Sequence, residues 1–253
     1  MVYHLITLSL VICSVIISCA RCAEISYSDA HAALMTFYTL TGGEIVSKNP
    51  FMPEFKYSED PLIYGWRRVN NWGSDLPFSE WDGITSSENE ILELNLYENN
   101  LRNDIPFEVL GSLPRLTRLD LCFNNFSASP PGLPLGSTLG DDIEHLKHTA
   151  ITELQLSGNK LSGYIPSGIG SLTTLQKLQI SYSKLTGSIP ESIGNLRELT
   201  HLDLSENKLT GSLPKSWRKL TKLRVVYLNH NSDLRVKEKV IRAKLPNVQW
   251  VNV

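Results

Sequence analysis

Cysteine is scarce where it would matter. Three of the four, Cys13, Cys19 and Cys22, fall within the first 22 residues, which leaves Cys122 alone in the body of the chain. A disulfide framework is therefore excluded, and stability has to come from packing. The short signatures of common chemistry are missing too. There is no Gly-x-Ser-x-Gly, no His-Glu-x-x-His and no Gly-Lys-[Ser/Thr] phosphate loop. No groove of basic residues interleaved with aromatics suggests nucleic acid. Apolar runs are short as well, the most continuous being 5–17, which is too brief for a typical spanning helix. These absences point away from an enzyme, a cofactor carrier and a nucleic-acid binder.

That first run has a different meaning. With the small residues Ser18, Ala20 and Ala23 after it, it reads as a secretory signal over 1–22, cleaved after Ala20, Cys22 or Ala23 so that the mature chain begins between Arg21 and Glu24. Ile16-Ile17-Ser18-Cys19 also resembles a lipobox, so a lipid anchor at Cys19 is the alternative, and the only membrane attachment expected. Either way the body is expected to be secreted or held at the extracellular surface.

What the chain has in abundance is repetition. Ile151, Leu175, Leu199 and Leu223 stand 24 residues apart, and each opens a copy of Leu-x-x-Leu-x-Leu-x-x-Asn-x-Leu or a near variant. The copies starting at Ile151 and Leu199 are complete, and Ile91 and Leu116 open two earlier ones. Apolar residues alternating within each copy mark a short strand with one buried face. The ninth-position Asn (Asn99, Asn124, Asn159, Asn207, Asn231) has the donors and acceptors to bridge the backbones of adjacent turns. The fourth copy has Ser183 there. A fixed period of this kind is the mark of a leucine-rich repeat solenoid: an α/β fold, a curved right-handed superhelix with a parallel β-sheet on its concave face.

The second half of each copy narrows the class. Leu161-Ser-Gly-Tyr-Ile-Pro166, Leu185-Thr-Gly-Ser-Ile-Pro190 and Leu209-Thr-Gly-Ser-Leu-Pro214 share one pattern. It resembles the plant-type leucine-rich repeats of receptor-kinase ectodomains and polygalacturonase-inhibiting proteins. That resemblance implies a recognition protein. It also implies an N-terminal cap around Trp72 and Trp81-x-Gly83-Ile84, whose usual paired cysteines are replaced by Ser79 and Ser86. Trp66, Trp72, Trp81 and a helix over 28–40 are expected to hold that cap together. The layout expected is a cap over 23–90, six repeats over 91–244 with an insert near 130–140, and a terminal strand over 245–253. The terminal strand is read from Leu245-x-x-Val248-x-Trp250.

Strand register places the candidate ligand surface. Template positions three, five and seven are expected to face away from the core. Position three holds Glu93, Arg118, Glu153, Lys177, His201, Val225 and Asn247; position five holds Asn95, Asp120, Gln155, Gln179, Asp203, Tyr227 and Gln249; position seven holds Tyr97, Cys122, Ser157, Ser181, Ser205 and Asn229. Within these, Glu93, Arg118, Glu153 and Lys177 alternate in sign and suggest pairing across strands. The ligand residues expected are Gln155, Lys177, Gln179, Tyr182, His201, Asp203 and Tyr227. The partner expected is another protein or a polysaccharide, bound by a monomer. A lipid-anchored adhesin and an inhibitor of a wall-degrading hydrolase are the competing readings. Asn125-Phe126-Ser127 is an N-glycan acceptor if the host is eukaryotic. Charge is uneven: net −10 over 24–108 and net +7 over 109–253. This leaves the basic C-terminal end as a second candidate surface, for a polyanion.

Overall fold

The computed structural model describes residues 25–43, 66–67, 69–126 and 139–253. The expected signal segment, Cys19 and the insert up to residue 138 lie outside them. The chain opens with α1 (Tyr27–Leu40), whose first turn is capped by Ser26 Oγ accepting from Asp29 N at 3.2 Å. It ends at Thr41, after which Gly42 takes φ +88°. Ala30, Ala33, Leu34 and Phe37 of α1 are buried.

The aromatic residues expected in the cap do meet. Trp66 stands edge-on to Trp72 at 4.7 Å and to Tyr38 at 4.7 Å, and Trp72 lies 5.3 Å from Trp81. Each indole N–H has an acceptor: Thr41 for Trp66, Asp82 O for Trp72 and Leu76 O for Trp81. Packing of large rings with satisfied polar ends thus does the work that cysteines would otherwise do.

Among the described residues, the main sheet has eight strands: β1 (Ile84–Ser87), β2 (Glu90–Asn95), β3 (Arg118–Asp120), β4 (Glu153–Gln155), β6 (Lys177–Gln179), β8 (His201–Asp203), β10 (Val225–Tyr227) and β12 (Trp250–Asn252). β1 is an antiparallel edge contributed by the cap, and the rest run parallel. Leucines at template positions one, four and six stack beneath them, as in Leu199, Leu202 and Leu204, each at most 1 % exposed. This is a leucine-rich repeat solenoid.

A second sheet was not foreseen. β5 (Ser162–Tyr164), β7 (Lys184–Ser188), β9 (Lys208–Gly211) and β11 (Asp233–Leu234) pair in parallel. The repeated Gly belongs here: Gly163, Gly187 and Gly211 have φ of +82°, +72° and +82°, which other residues resist. The opposite side is closed by short 3₁₀ turns at Asp141–His148, Ser167–Ser171, Glu191–Asn195 and Lys215–Lys219. They stack closely: a Cβ on Gly170 would lie 2.5 Å from Ser192 O.

The terminal strand corrects the sequence register. Trp250 pairs with Val225 and Asn252 with Tyr227, so the template begins at Val248 rather than Leu245. Leu245 instead fills the place of Leu220, three residues before the template starts. Asn247 and Gln249 therefore leave the surface columns, and Trp250 and Asn252 enter them. Trp250 is consequently 60 % exposed. α2 (Phe107–Leu110) lies in the first repeat, and α3 (Glu238–Lys244) precedes the last strand.

The Asn residues turn inward and join successive repeats. Asn124 Nδ2 donates to Leu96 O and Leu121 O while its Oδ1 accepts from Asn99 N and Leu101 N. Asn207 spans Ile180 O, Leu204 O and Leu185 N, and Asn231 spans Leu204 O, Leu228 O and Leu209 N. One residue before the Asn (Ser183 in the fourth copy), position eight adopts a left-handed backbone in every copy: Glu98, Phe123, Gly158, Tyr182, Glu206 and His230, with φ between +51° and +71°. That reversal takes the chain out of the strand and swings the following Asn beneath the sheet.

Candidate functional site

The lateral register builds the concave face as two straight columns. Glu93, Arg118, Glu153, Lys177, His201, Val225 and Trp250 are successive partners in one. Asn95, Asp120, Gln155, Gln179, Asp203, Tyr227 and Asn252 make the other. Neighbours in a column are ~4.8 Å apart, the spacing of hydrogen-bonded strands. Lys177, Gln179, His201, Asp203 and Tyr227 therefore lie on one continuous surface, all half-buried or exposed. Tyr182 stands at its margin, 60 % exposed, on the left-handed position eight.

Two expectations about this face fail. Gln155 is 6 % exposed and so is buried. Position seven is closed over most of its length: Cys122, Ser157, Ser181 and Ser205 are buried and Asn229 is half-buried, while Tyr97 is 41 % exposed as expected. From β3 onward the strands of this sheet are three residues long and end at position five, so position seven belongs to the turn. There Ser181 Oγ donates to Ser157 Oγ at 2.9 Å, and Ser205 Oγ to Asp203 Oδ1 at 2.7 Å.

Charge pairing is also less regular than the alternation suggested. Arg118 Nε lies 3.7 Å from Glu153 Oε2. Lys177, however, turns from Glu153 and gives its Nζ to Gln155 Oε1 at 3.0 Å. That bond fixes which end of the Gln155 amide is oxygen and leaves its Nε2 without an acceptor. Asp120 Oδ1 accepts from Cys122 N at 3.1 Å. Burial first, and the Asp120 carboxylate second, push the Cys122 thiol up to about 12, which keeps it protonated and inert near neutral pH.

Sequence reasoning placed Tyr97 and Tyr182 outward but missed Phe123 between them. Tyr97 and Phe123 are 41 % and 50 % exposed, with ring centroids 5.3 Å apart. Phe123 lies across Gly158 of the next repeat: a Cβ there would fall 2.7 Å from the Phe123 ring. Tyr182 follows one repeat further on. The signal available was the position-eight column itself, which places Phe123, Gly158 and Tyr182 in successive copies.

Among the described residues no group of three or more His, Cys, Asp and Glu side chains is placed to hold a metal ion, and no helix is long and apolar enough to cross a membrane. Asn125 is half-buried and its backbone N donates to Leu101 O at 2.8 Å; Ser127 of its acceptor triplet lies outside the described residues.

Comparison with known proteins agrees with this architecture. A family model described as Leucine rich repeat matches residues 173–232, and a second of the same description matches 150–172. The LRR receptor-like serine/threonine-protein kinase GSO2 of Arabidopsis thaliana is 37 % identical over 109 residues. That is 43 % of this chain but 8 % of the relative, so the chain spans a small part of that protein. Among solved structures, the ectodomain of the Arabidopsis receptor kinase HAESA, in complex with an extended IDA peptide hormone, superposes with a TM-score of 0.63 at 27 % identity. The match covers 73 % of this chain and 29 % of that one. A chain of the BIR3–SERK2 complex from Arabidopsis thaliana matches with a TM-score of 0.53 at 31 % identity, over 68 % of this chain and 85 % of that one.

Proposed function

We propose that this plant-type leucine-rich repeat protein is an extracellular recognition module that binds a protein or peptide ligand across its concave face, centred on the third to fifth repeats. The observation that carries the reading is the unbroken pair of columns through Lys177, Gln179, His201 and Asp203. Polar groups stand there in fixed register on a rigid sheet, so little ordering remains to be done on binding. Gln179 and Asp203 sit side by side, and Tyr182 adds an exposed ring at the margin. Ectodomains of this architecture solved with peptide hormones support a polypeptide ligand rather than a polysaccharide. Secretion follows on this reading, with the 1–22 segment as the export signal.

Affinity capture from extracellular extract with the folded domain tests it, provided each captured partner is re-measured against variants. Tyr182→Ala combined with Asp203→Ala should weaken a true ligand more than tenfold. Lys237→Ala with Lys239→Ala, at the exposed start of α3, should leave it unchanged. The reverse ranking would move the site to the basic C-terminal end and make a polyanion the ligand.

A further inference from the structure

The concave face changes character over its last three strands. Trp250 is 60 % exposed, whereas the other four tryptophans are buried or half-buried, and it ends the column that runs through His201 and Val225. In the adjacent column Asp203, Tyr227 and Asn252 follow in the same order. Both columns leave the same side of the sheet, because position four between them, as in Leu202 and Val226, is buried. Strand spacing sets His201 and Trp250 ~9.6 Å apart with Val225 between them, and sets the second column ~6.6 Å along. The short Val225 side chain thus leaves a recess among His201, Trp250 and Tyr227, with Asp203 at its border.

The polar groups around this recess are acceptors with capacity to spare. Asp203 Oδ1 takes hydrogens from Ser205 N at 3.0 Å and Ser205 Oγ at 2.7 Å, while Oδ2 has no hydrogen bond or ion pair with a described residue. The nearby cations are turned elsewhere. Lys177 gives its Nζ to Gln155 on the side away from Asp203, Arg224 donates to Asn247 O at 3.2 Å, and Lys222 pairs with Glu198. The exposed His201 ring has a fixed tautomer. Thr200 Oγ1 donates to Gln176 O at 2.9 Å, so towards the imidazole nitrogen 2.8 Å away it can only accept. Nδ1 therefore carries the hydrogen, and Nε2 of the neutral ring is an acceptor.

We infer that this recess holds an arginine side chain of the peptide ligand, its guanidinium stacked on the Trp250 indole and donating to Asp203 Oδ2. The inference rests on the concave-face reading above and names the side chain that reading leaves open. A guanidinium stacks on an aromatic face while its N–H groups donate at the edge, so one group meets both the indole and the acceptors at Asp203 and His201. The ~12 Å between the Asp203 and Trp250 backbones at strand spacing is a gap that the two side chains and one guanidinium fill together. An acidic ligand residue would meet the Asp203 carboxylate as a like charge, and an apolar one would bury that carboxylate unpaired.

Selection of a random peptide display library on the full chain provides the probe, with the selected peptides remade synthetically. Binders should share an arginine. Replacing it by citrulline, which keeps the shape and removes the charge, should cost at least tenfold in affinity. Asp203→Asn and Trp250→Ala should each cost the same, with melting temperature unchanged; Asn at 203 still accepts from Ser205, so that change reads the lost charge. Peptide binding should also alter the tryptophan emission of the parent and leave that of Trp250→Phe unaltered. Binders that tolerate citrulline or ignore Trp250→Ala would overturn the subsite, and if they still lose tenfold to the Tyr182→Ala, Asp203→Ala pair the concave-face reading stands. Binders indifferent to every one of these substitutions, or a selection that returns none, would overturn both.

Discussion

Replacing Asn207 by Ala should destabilise the protein by about 2–4 kcal/mol, more than the same change at Asn159, because Asn207 Oδ1 holds Leu185 N at 3.1 Å while Asn159 Oδ1 holds Phe126 N only at 3.4 Å. Each position-six carbonyl in the ladder is normally held from two sides, by the Asn of its own repeat and by the Asn of the next. Leu204 O, for instance, accepts from both Asn207 and Asn231. Ile180 O belongs to the repeat with Ser183, whose hydroxyl reaches only towards Asn159 O and Ser181 O at 3.4 and 3.5 Å. Its one ladder donor is Asn207 Nδ2 at 2.7 Å. Asn207→Ala therefore orphans Ile180 O and also Leu185 N, which gives its hydrogen to Asn207 Oδ1 at 3.1 Å. Two buried groups at ~1–3 kcal/mol each, less some relaxation, give the figure above.

Asn159→Ala is milder. Leu121 O keeps Asn124, and the contact from Phe126 N is already long at 3.4 Å, so Leu156 O is the main loss and the cost is about 1–2 kcal/mol. Ser183→Asn should raise stability by ~1 kcal/mol. Its Nδ2 would reach Leu156 O and Ile180 O, and its Oδ1 would meet Leu161 N–H, for which this repeat has no ladder oxygen. It should also reduce the cost of Asn207→Ala by ~1 kcal/mol, a coupling that a double-mutant cycle isolates. Urea unfolding followed by far-UV dichroism and by tryptophan fluorescence measures the parent and all four variants. Coincident transitions are the condition for comparing midpoints, since repeats can unfold in sections. Equal costs for Asn207→Ala and Asn159→Ala, or a destabilising Ser183→Asn, would refute the ladder argument.

Gly170→Ala should destabilise by ~1–3 kcal/mol through overpacking, because its Cβ would press on the backbone oxygen of Ser192 at 2.5 Å, and thermal melts check this. Asp142→Asn should raise stability at neutral pH and lose its advantage in acid. Burial, opposed by a backbone hydrogen bond and by His145 and reinforced by Asp104, raises the Asp142 carboxyl above its usual range. The folded chain thus holds this proton more tightly than the unfolded one, favouring the fold at low pH and losing that contribution as pH rises through the raised value. Stability of both proteins measured at pH 4 and pH 7 decides it. Cys122 should resist a thiol reagent at pH 8 in the folded protein and react freely once unfolded; prompt labelling of the native chain would show that Asp120 and burial do not hold it. Expressed through a eukaryotic secretory pathway, the chain should lose mass on glycosidase treatment and keep it after Asn125→Gln.

How much of this was readable in the residues depends on what each feature is made of. The core, the ladder and the lateral register are written in side chains at fixed spacing, so Leu202, Leu204 and Asn207 announce their roles, and Lys177, His201, Gln179 and Asp203 fall beside each other as the template requires. The second sheet is made of backbone. β7 and β9 carry exposed Lys, Thr and Ser with no alternating apolar face, and only the recurring Gly at positive φ betrays them. Position eight is hidden for the opposite reason. Its left-handed backbone is imposed by the turn on Glu, Phe, Tyr and His alike, so residue type carries no sign of it. The terminal strand shows the hazard of a short motif, because Leu245, Val248 and Trp250 fit two templates three residues apart. The pair Leu220-x-x-Leu223, which closes one repeat and opens the next, selects between them: Leu245-x-x-Val248 is its counterpart, and Trp250 then has to face outward. Burial of Gln155 and of the position-seven residues was beyond the pattern altogether. It goes with strands that end at position five, so that the following residues turn in with the chain, and a period counts residues without recording where the strand stops.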